Sequence, residues 1–184
     1  MTKLVTSVMT NGPESALAYA NQAIAEGADL IEFRLDGWDD PNDGFEKLCP
    51  HLPGGRWILT CRTAWEGGAW RGAEEDRLAL MLRALRENAG YVDFEYAEWR
   101  GSPAVRRRFA EALGNGAHTP RLILSAHDFN ANGRGIIARL PEMLREASAY
   151  AVKLAWSARD ITDNFTALDL LRRANRPAAI ICMG

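Results

Sequence analysis

Cysteine is scarce in this 184-residue sequence, charge of neither sign dominates it, and no long apolar run crosses it. The three cysteines, Cys49, Cys61 and Cys182, stand far apart without paired spacing, so neither a disulfide framework nor a zinc site is indicated. Basic and acidic residues, 22 and 24 of them, are interspersed to a net charge of −2. That leaves no general basic field for nucleic acid. The run Arg106, Arg107 and Arg108 reads as the solvated face of a helix. No stretch is long enough to span a membrane. Residues 4–9 are too short a run for a secretory signal, and Asn11, Gly12 and Pro13 break it. A cytoplasmic protein without nucleic-acid or membrane partners is expected.

What is present is regular. With 47% hydrophobic and 25% charged residues, the composition is that of a globular domain, and a single domain over 1–184 is expected. Short apolar runs recur at LVTSVMT (4–10), LIEFRLD (30–36), WILTCRT (57–63), YVDFEYA (91–97), RLILSAHDF (121–129), YAVKLAW (150–156) and AAIICM (178–183). Helical spacing of apolar residues fills most gaps, over 14–26, 74–88, 104–113, 135–147 and 163–174. The gap 37–55 is weaker, with only 45–48 looking helical. Strands alternating with helices predict a parallel sheet with helices packed outside it.

Alternation within the strands separates a barrel from an open sheet. Ile31, Phe33 and Leu35 share one face, with Glu32, Arg34 and Asp36 on the other; Val92, Phe94 and Tyr96 oppose Asp93 and Glu95. Leu59 and Cys61 oppose Thr60 and Arg62, and Leu122, Leu124 and Ala126 oppose Ile123, Ser125 and His127. An open parallel sheet covered on both sides is apolar on both. Here one face carries charge toward the strand ends, which is the pattern of a TIM-type (β/α) barrel whose C-terminal mouth holds the site. Seven strands are visible and an eighth is missing, so the barrel is expected to be incomplete and C-terminally truncated.

The inward set is Glu32, Arg34, Arg62, Asp93, Glu95, Ser125, His127 and Lys153. An internal ion-pair network that only fixes register is one reading of it. His51 and His118 fall in loops leading into strands and are expected in solvent, whereas His127 lies at a strand's C-terminal end, facing inward. Lys153 interrupts the apolar run VKLA (152–155). A strand-end lysine with its stem packed and its amine in water is the plain explanation. The alternative is a nucleophile: desolvation, with Arg34 and Arg62 nearby, would lower its pKa and free the amine to attack a carbonyl. His127 would then move protons. The residues alone reach a Schiff-base lyase or aldolase acting on a small polar carbonyl compound.

EFRLD (32–36), TCRTAWEGG (60–68), SAHDF (125–129), VKLA (152–155) and ICMG (181–184), in this order, resemble the motifs of the type I 3-dehydroquinate dehydratase family. The resemblance implies a shikimate-pathway lyase that converts 3-dehydroquinate to 3-dehydroshikimate and water by syn elimination, with neither metal nor organic cofactor. It implies that Lys153 forms an imine with the C3 ketone and that His127 moves the C2 proton and protonates the leaving hydroxyl. Glu66 would orient His127, while Glu32, Arg34, Arg62 and Ser7 would contact substrate. Structural alternatives are a simple Glu32–Arg34 pair and a solvated Glu66 beside Gly67 and Gly68. Asp128 reads as a strand-end cap, and Asp93 and Glu95 as supports for the basic residues. The family continues beyond ICMG with a carboxylate-gripping arginine, an eighth strand and a lid, so weak activity is expected of these 184 residues by themselves. A homodimer is the assembly the resemblance implies. Two alternatives stand beside this: a non-catalytic relative that binds small carboxylates or a partner chain, and a Schiff-base aldolase.

Overall fold

The computed structural model describes residues 2–52, 55–87, 90–114, 121–130 and 133–184. Its strands are β1 (Val5–Val8), β2 (Leu30–Arg34), β3 (Trp57–Thr60), β4 (Tyr91–Glu95), β5 (Arg121–Asp128), β6 (Ala149–Ser157) and β7 (Ala178–Met183). They form one seven-stranded sheet in sequential order, each strand parallel to the next. A doubly wound sheet reverses its order part-way. An unbroken order of parallel strands instead keeps the crossovers on one side and curls the sheet as a barrel does. The result is a curled α/β half-barrel with β1 and β7 at its edges.

Around it run α1 (Pro13–Ala25), α2 (Pro41–Leu48), α3 (Glu74–Arg86), α4 (Tyr96–Gly101), α5 (Pro103–Leu113), α6 (Arg134–Ile137), α7 (Leu140–Met143) and α8 (Asp163–Arg173). Proline opens α1, α2 and α5, where its missing N–H costs nothing. Asp40 caps α2 by accepting from the amides of Asn42 and Asp43, and Ser102 caps α5 by accepting from that of Val105. Three acidic residues, Glu74, Glu75 and Asp76, occupy the first turn of α3, with Arg83 and Arg86 in its last, as the helix dipole favours.

The strand alternation sorts the core into two parts. Outward-facing Ile31, Phe33, Leu59, Val92, Phe94, Leu122, Leu124, Val152 and Leu154 pack with the helices in the main cluster. Inward-facing Leu30, Ile58, Tyr91 and Ile123 form a separate apolar floor inside the curl, with Ala151 against it. The inward-facing polar side chains Glu32, Thr60, Asp93, Ser125 and Lys153 come next along the strands, above that floor.

Several boundaries differ from the sequence reading. The second and third strands end at Arg34 and Thr60, short of the expected 36 and 63; 3-10 turns follow at Leu35–Gly37 and Ala64–Glu66. The fourth strand ends at Glu95, and Tyr96 begins α4. The helix expected over 135–147 is broken into α6 and α7. Pro141 has no N–H for the carbonyl of Ile137 one turn back, so the α-helix stops there. In the weak gap, α2 begins at Pro41, four residues before the expected helical stretch. His51 sits in an exposed 3-10 turn, while His118 lies outside the described residues.

Candidate active site

One pleat above the apolar floor, Lys153 enters the barrel interior from β6. Its Nζ donates to Glu32 Oε1 at 2.9 Å and to Asp93 Oδ2 at 3.1 Å. Glu32 also accepts from Thr60 Oγ1 at 2.8 Å and from the hydroxyl of Ser7. Lys153 is thus a bridged cation, and this corrects the expectation of a lowered pKa. Burial does push the ammonium toward losing its proton, and Arg62 adds to that. Asp93 and Glu32 outweigh both, and the pKa lies above its ordinary 10.5. Burial likewise pushes the Glu32 carboxyl up, but Lys153 and the Ser7 hydrogen bond bring it below its ordinary value.

One strand away and nearer the mouth, His127 is level with Ala155 on β6. Its Nδ1 lies 2.7 Å from Glu66 Oε2, and the two side chains are only 6% and 4% exposed. Glu66 is therefore no solvated loop residue. Burial pushes its carboxyl up to about 8, and burial, with Arg62 adding, pushes His127 down to about 3. Around neutral pH the pair is then uncharged, one proton lying between Nδ1 and the carboxyl. When Glu66 ionises, Nδ1 keeps its hydrogen and Nε2 presents a lone pair.

Arg62 joins the two halves. Its guanidinium donates to Asp93 Oδ1 at 2.7 Å, Glu95 Oε1 at 2.8 Å and Ser125 Oγ at 2.8 Å, and stands 4.0 Å from Glu66. Asp93 takes Arg62 on one oxygen and Lys153 on the other, and this pairing holds its carboxyl well below the usual range. The alternative of a simple Glu32–Arg34 pair is not what forms. Arg34 instead makes a two-pronged contact with Asp36, at 2.9 and 2.8 Å. Asp36 further accepts from the amides of Arg62 and Ala69, which ties the end of β2 to the loop after β3. Asp128 accepts from the amide of Gly133, in keeping with a strand-end cap.

The family model described as "Type I 3-dehydroquinase" matches residues 4–184. The chain belongs to that family. It is 37% identical over 166 residues to the 3-dehydroquinate dehydratase of Desulfotalea psychrophila, an alignment covering 86% of this chain and 68% of the relative. Identity to the enzyme of that name from Methanococcus maripaludis is 30%, over 96% of this chain and 77% of the relative. The solved 3-dehydroquinate dehydratase of Enterococcus faecalis superposes with a TM-score of 0.78 at 26% identity, covering 99% of this chain and 79% of that one.

Within this type I 3-dehydroquinase, the structure brings together Lys153, His127, Glu66, Glu32, Arg62 and Ser7, with Arg34 beside them on Asp36. Sequence reasoning passed over Asp36, Thr60 and Arg77. Asp36 and Thr60 were in view on the inward face. Arg77 left a different signal: an arginine one turn before Met81, within the apolar stripe of α3. Among the described residues no group of His, Cys, Asp and Glu is arranged to hold a metal ion. A groove of about 440 Å³ between α7 and α8, lined by Leu140, Leu144, Leu170 and Arg173, lies outside the barrel and shares no residue with this site.

Proposed function

We propose that the chain is a 3-dehydroquinate dehydratase of the shikimate pathway, working through an imine on Lys153. The observation that supports it best is one lysine in a buried polar layer, held by two carboxylates, with a histidine–glutamate pair on the adjacent strand and loop. Lys153 passes its proton to a neighbouring carboxylate and attacks the C3 carbonyl, and the adduct loses water to leave an iminium. The iminium draws electrons from C2, whose proton passes to His127 Nε2 while Glu66 is ionised. The C2 electrons then expel the C1 hydroxyl, which the same ring protonates from the same face, giving syn elimination. Water adds back to the iminium, releasing 3-dehydroshikimate and the amine. Glu32, Arg34, Arg62 and Ser7 supply contacts to the substrate's polar groups.

The charges beside Lys153 serve this chemistry twice. Glu32 and Asp93 hold the resting lysine as ammonium, which slows attack, and they also lie beside the cationic iminium once it forms, which stabilises the electron sink. Substrate hydroxyls that engage Glu32 would loosen one of the two clamps as the ketone arrives.

The test is incubation with 3-dehydroquinate, addition of borohydride, intact mass and peptide mapping. The chain has three lysines, Lys3, Lys47 and Lys153, so the site of reduction is unambiguous. A reduced adduct on Lys153, absent in Lys153→Ala and still formed in His127→Ala, is expected. A folded protein that gives no adduct would overturn the reading, and an adduct with an aldol donor alone would point to an aldolase.

A further inference from the structure

We propose that Arg77, a helix residue outside the sheet, is a positioning residue for the lysine: by occupying one oxygen of Glu95 it commits the other to Arg62, and so fixes the guanidinium that holds Asp93 against Lys153. Arg77 is 1% exposed and reaches through the wall of the barrel. The opening it uses is visible in the strand register. Pairing of β3 with β4 stops at Thr60–Asp93, whereas β4 and β5 stay paired to Glu95–Ser125. Past Thr60 the two strands part, and the Arg77 guanidinium fills the gap. It donates to the carbonyl of Cys61 at 3.1 Å and to Glu95 Oε2 at 2.7 Å. Glu74 at 2.9 Å and Glu98 hold its remaining donors, and the guanidinium lies 4.9 Å from the centre of the Phe94 ring.

Glu95 is the shared member. Oε2 faces Arg77, while Oε1 accepts from Arg62 at 2.8 Å and from the amide of Thr63 at 3.3 Å. From there the contacts run without a break: Arg62 to Asp93, Asp93 to Lys153, Lys153 to Glu32. Glu32, Asp93 and Glu95 against Arg62, Lys153 and Arg77 make a balanced buried set. Without Arg77 the set carries an uncompensated carboxylate, and Arg62 is free to turn both prongs to Glu95 and release Asp93. Both effects strengthen the hold of the carboxylates on the Lys153 proton.

The groups facing Lys153 are Glu32 from β2, Arg62 from just past the end of β3, Asp93 from β4 and His127 from β5, and β7 contributes no charged side chain. Loss of a positive charge behind them makes the lysine more basic, so its free amine appears only at higher pH.

The inference concerns the same lysine as the proposed dehydratase, but its test does not need the substrate. Reductive methylation with formaldehyde and cyanoborohydride, followed across pH by peptide mapping, reads the free amine of Lys153, with Lys3 and Lys47 as internal references. In Arg77→Met the midpoint for Lys153 should move up by about one pH unit while both references stay. Arg77→Lys, which keeps the charge, should move it less. The double variant Arg77→Met with Glu95→Gln removes both charges and should return it toward the wild-type value. An unchanged Lys153 profile in folded Arg77→Met overturns the proposal. If that variant does not fold, a double variant whose profile stays far from wild type overturns it instead. A wild-type protein that labels normally yet forms no adduct with 3-dehydroquinate would sink the dehydratase reading and leave the role of Arg77 standing.

Discussion

At the scale of single residues, the charge state of Lys153 is decided by distance. Alternation along β6 placed the amine inside the barrel, because Val152 and Leu154 claim the outer face. Which charges stand nearest was not legible, since strand parity assigns a face and not a neighbour. Two arginines on that face suggested a depressed pKa, but the atoms within hydrogen-bonding reach belong to Glu32 and Asp93. Glu32→Gln tests the consequence. One carboxylate charge beside the ammonium disappears, so the proton leaves more readily, and the pH midpoint for methylation of Lys153 should fall by about one to two units. Turnover should not rise with it, because the same carboxylate lies next to the iminium. A midpoint that stays put would mean Asp93 alone sets the basicity of the lysine.

At the scale of elements, the turn after β3 is where motif and geometry meet. Cys61 and Arg62 continue the outward–inward alternation past the end of the paired strand, because the Asp36 side chain takes the Arg62 amide at 3.0 Å in place of a ladder partner. Strand extent was therefore overread there, while the direction of Arg62 was read correctly. Glu66 ends a 3-10 turn, and Gly67 follows in the left-handed region at φ 79°. A Cβ on Gly67 would come within 2.4 Å of the Phe129 ring, which itself packs 5.8 Å from the His127 ring centre. Gly67→Ala thus combines a left-handed alanine, costing about 1–2 kcal/mol, with displacement of a ring that borders the histidine. Dehydration rate should fall about tenfold or more, since a small misplacement of a proton-transfer group is costly, while borohydride trapping on Lys153 persists. Loss of trapping and turnover in equal measure would instead mean that the whole site had shifted. The glycine was visible in the sequence; the phenylalanine across from it was not, because the two meet only through the pairing of β3, β4 and β5.

At the scale of the whole molecule, the unclosed curl leaves apolar side chains at both flanks: Leu4, Met9 and Tyr19 beside β1, and Ile161, Phe165 and Leu168 beside β7, each at least half exposed. The interior is the opposite case, a charged layer largely withdrawn from water, and it ties folding to pH. Glu66 ordinarily titrates at 4.5 and lies at about 8 in the folded protein; His127 ordinarily titrates at 6.5 and lies at about 3. Between pH 4.5 and 6.5 the folded pair (carboxylic acid, neutral ring) and the unfolded pair (carboxylate, imidazolium) hold equal numbers of protons, so stability is level. As pH rises above 6.5 the unfolded chain gives up a proton that the folded pair keeps to about 8, and stability falls. As pH drops below 4.5 the unfolded chain gains a proton that the folded ring refuses to about 3, and stability falls again. Asp36, Glu32 and Asp93, held below their ordinary values, deepen that acid limb, since their contribution is present above the unfolded pKa and lost as pH falls. The alkaline limb spans the interval from 6.5 to 8 and is on the order of 2 kcal/mol. Urea unfolding at pH 6 and pH 8 should therefore show a less stable protein at the higher pH, and Glu66→Gln, with no carboxyl to ionise, should abolish that fall and leave a slight rise instead, because the unfolded His127 still gives up a proton that the buried neutral ring never held. A wild type that is no less stable at pH 8 than at pH 6 would mean that the buried pair does not hold its extra proton, and that His127 already presents a free Nε2 at neutral pH.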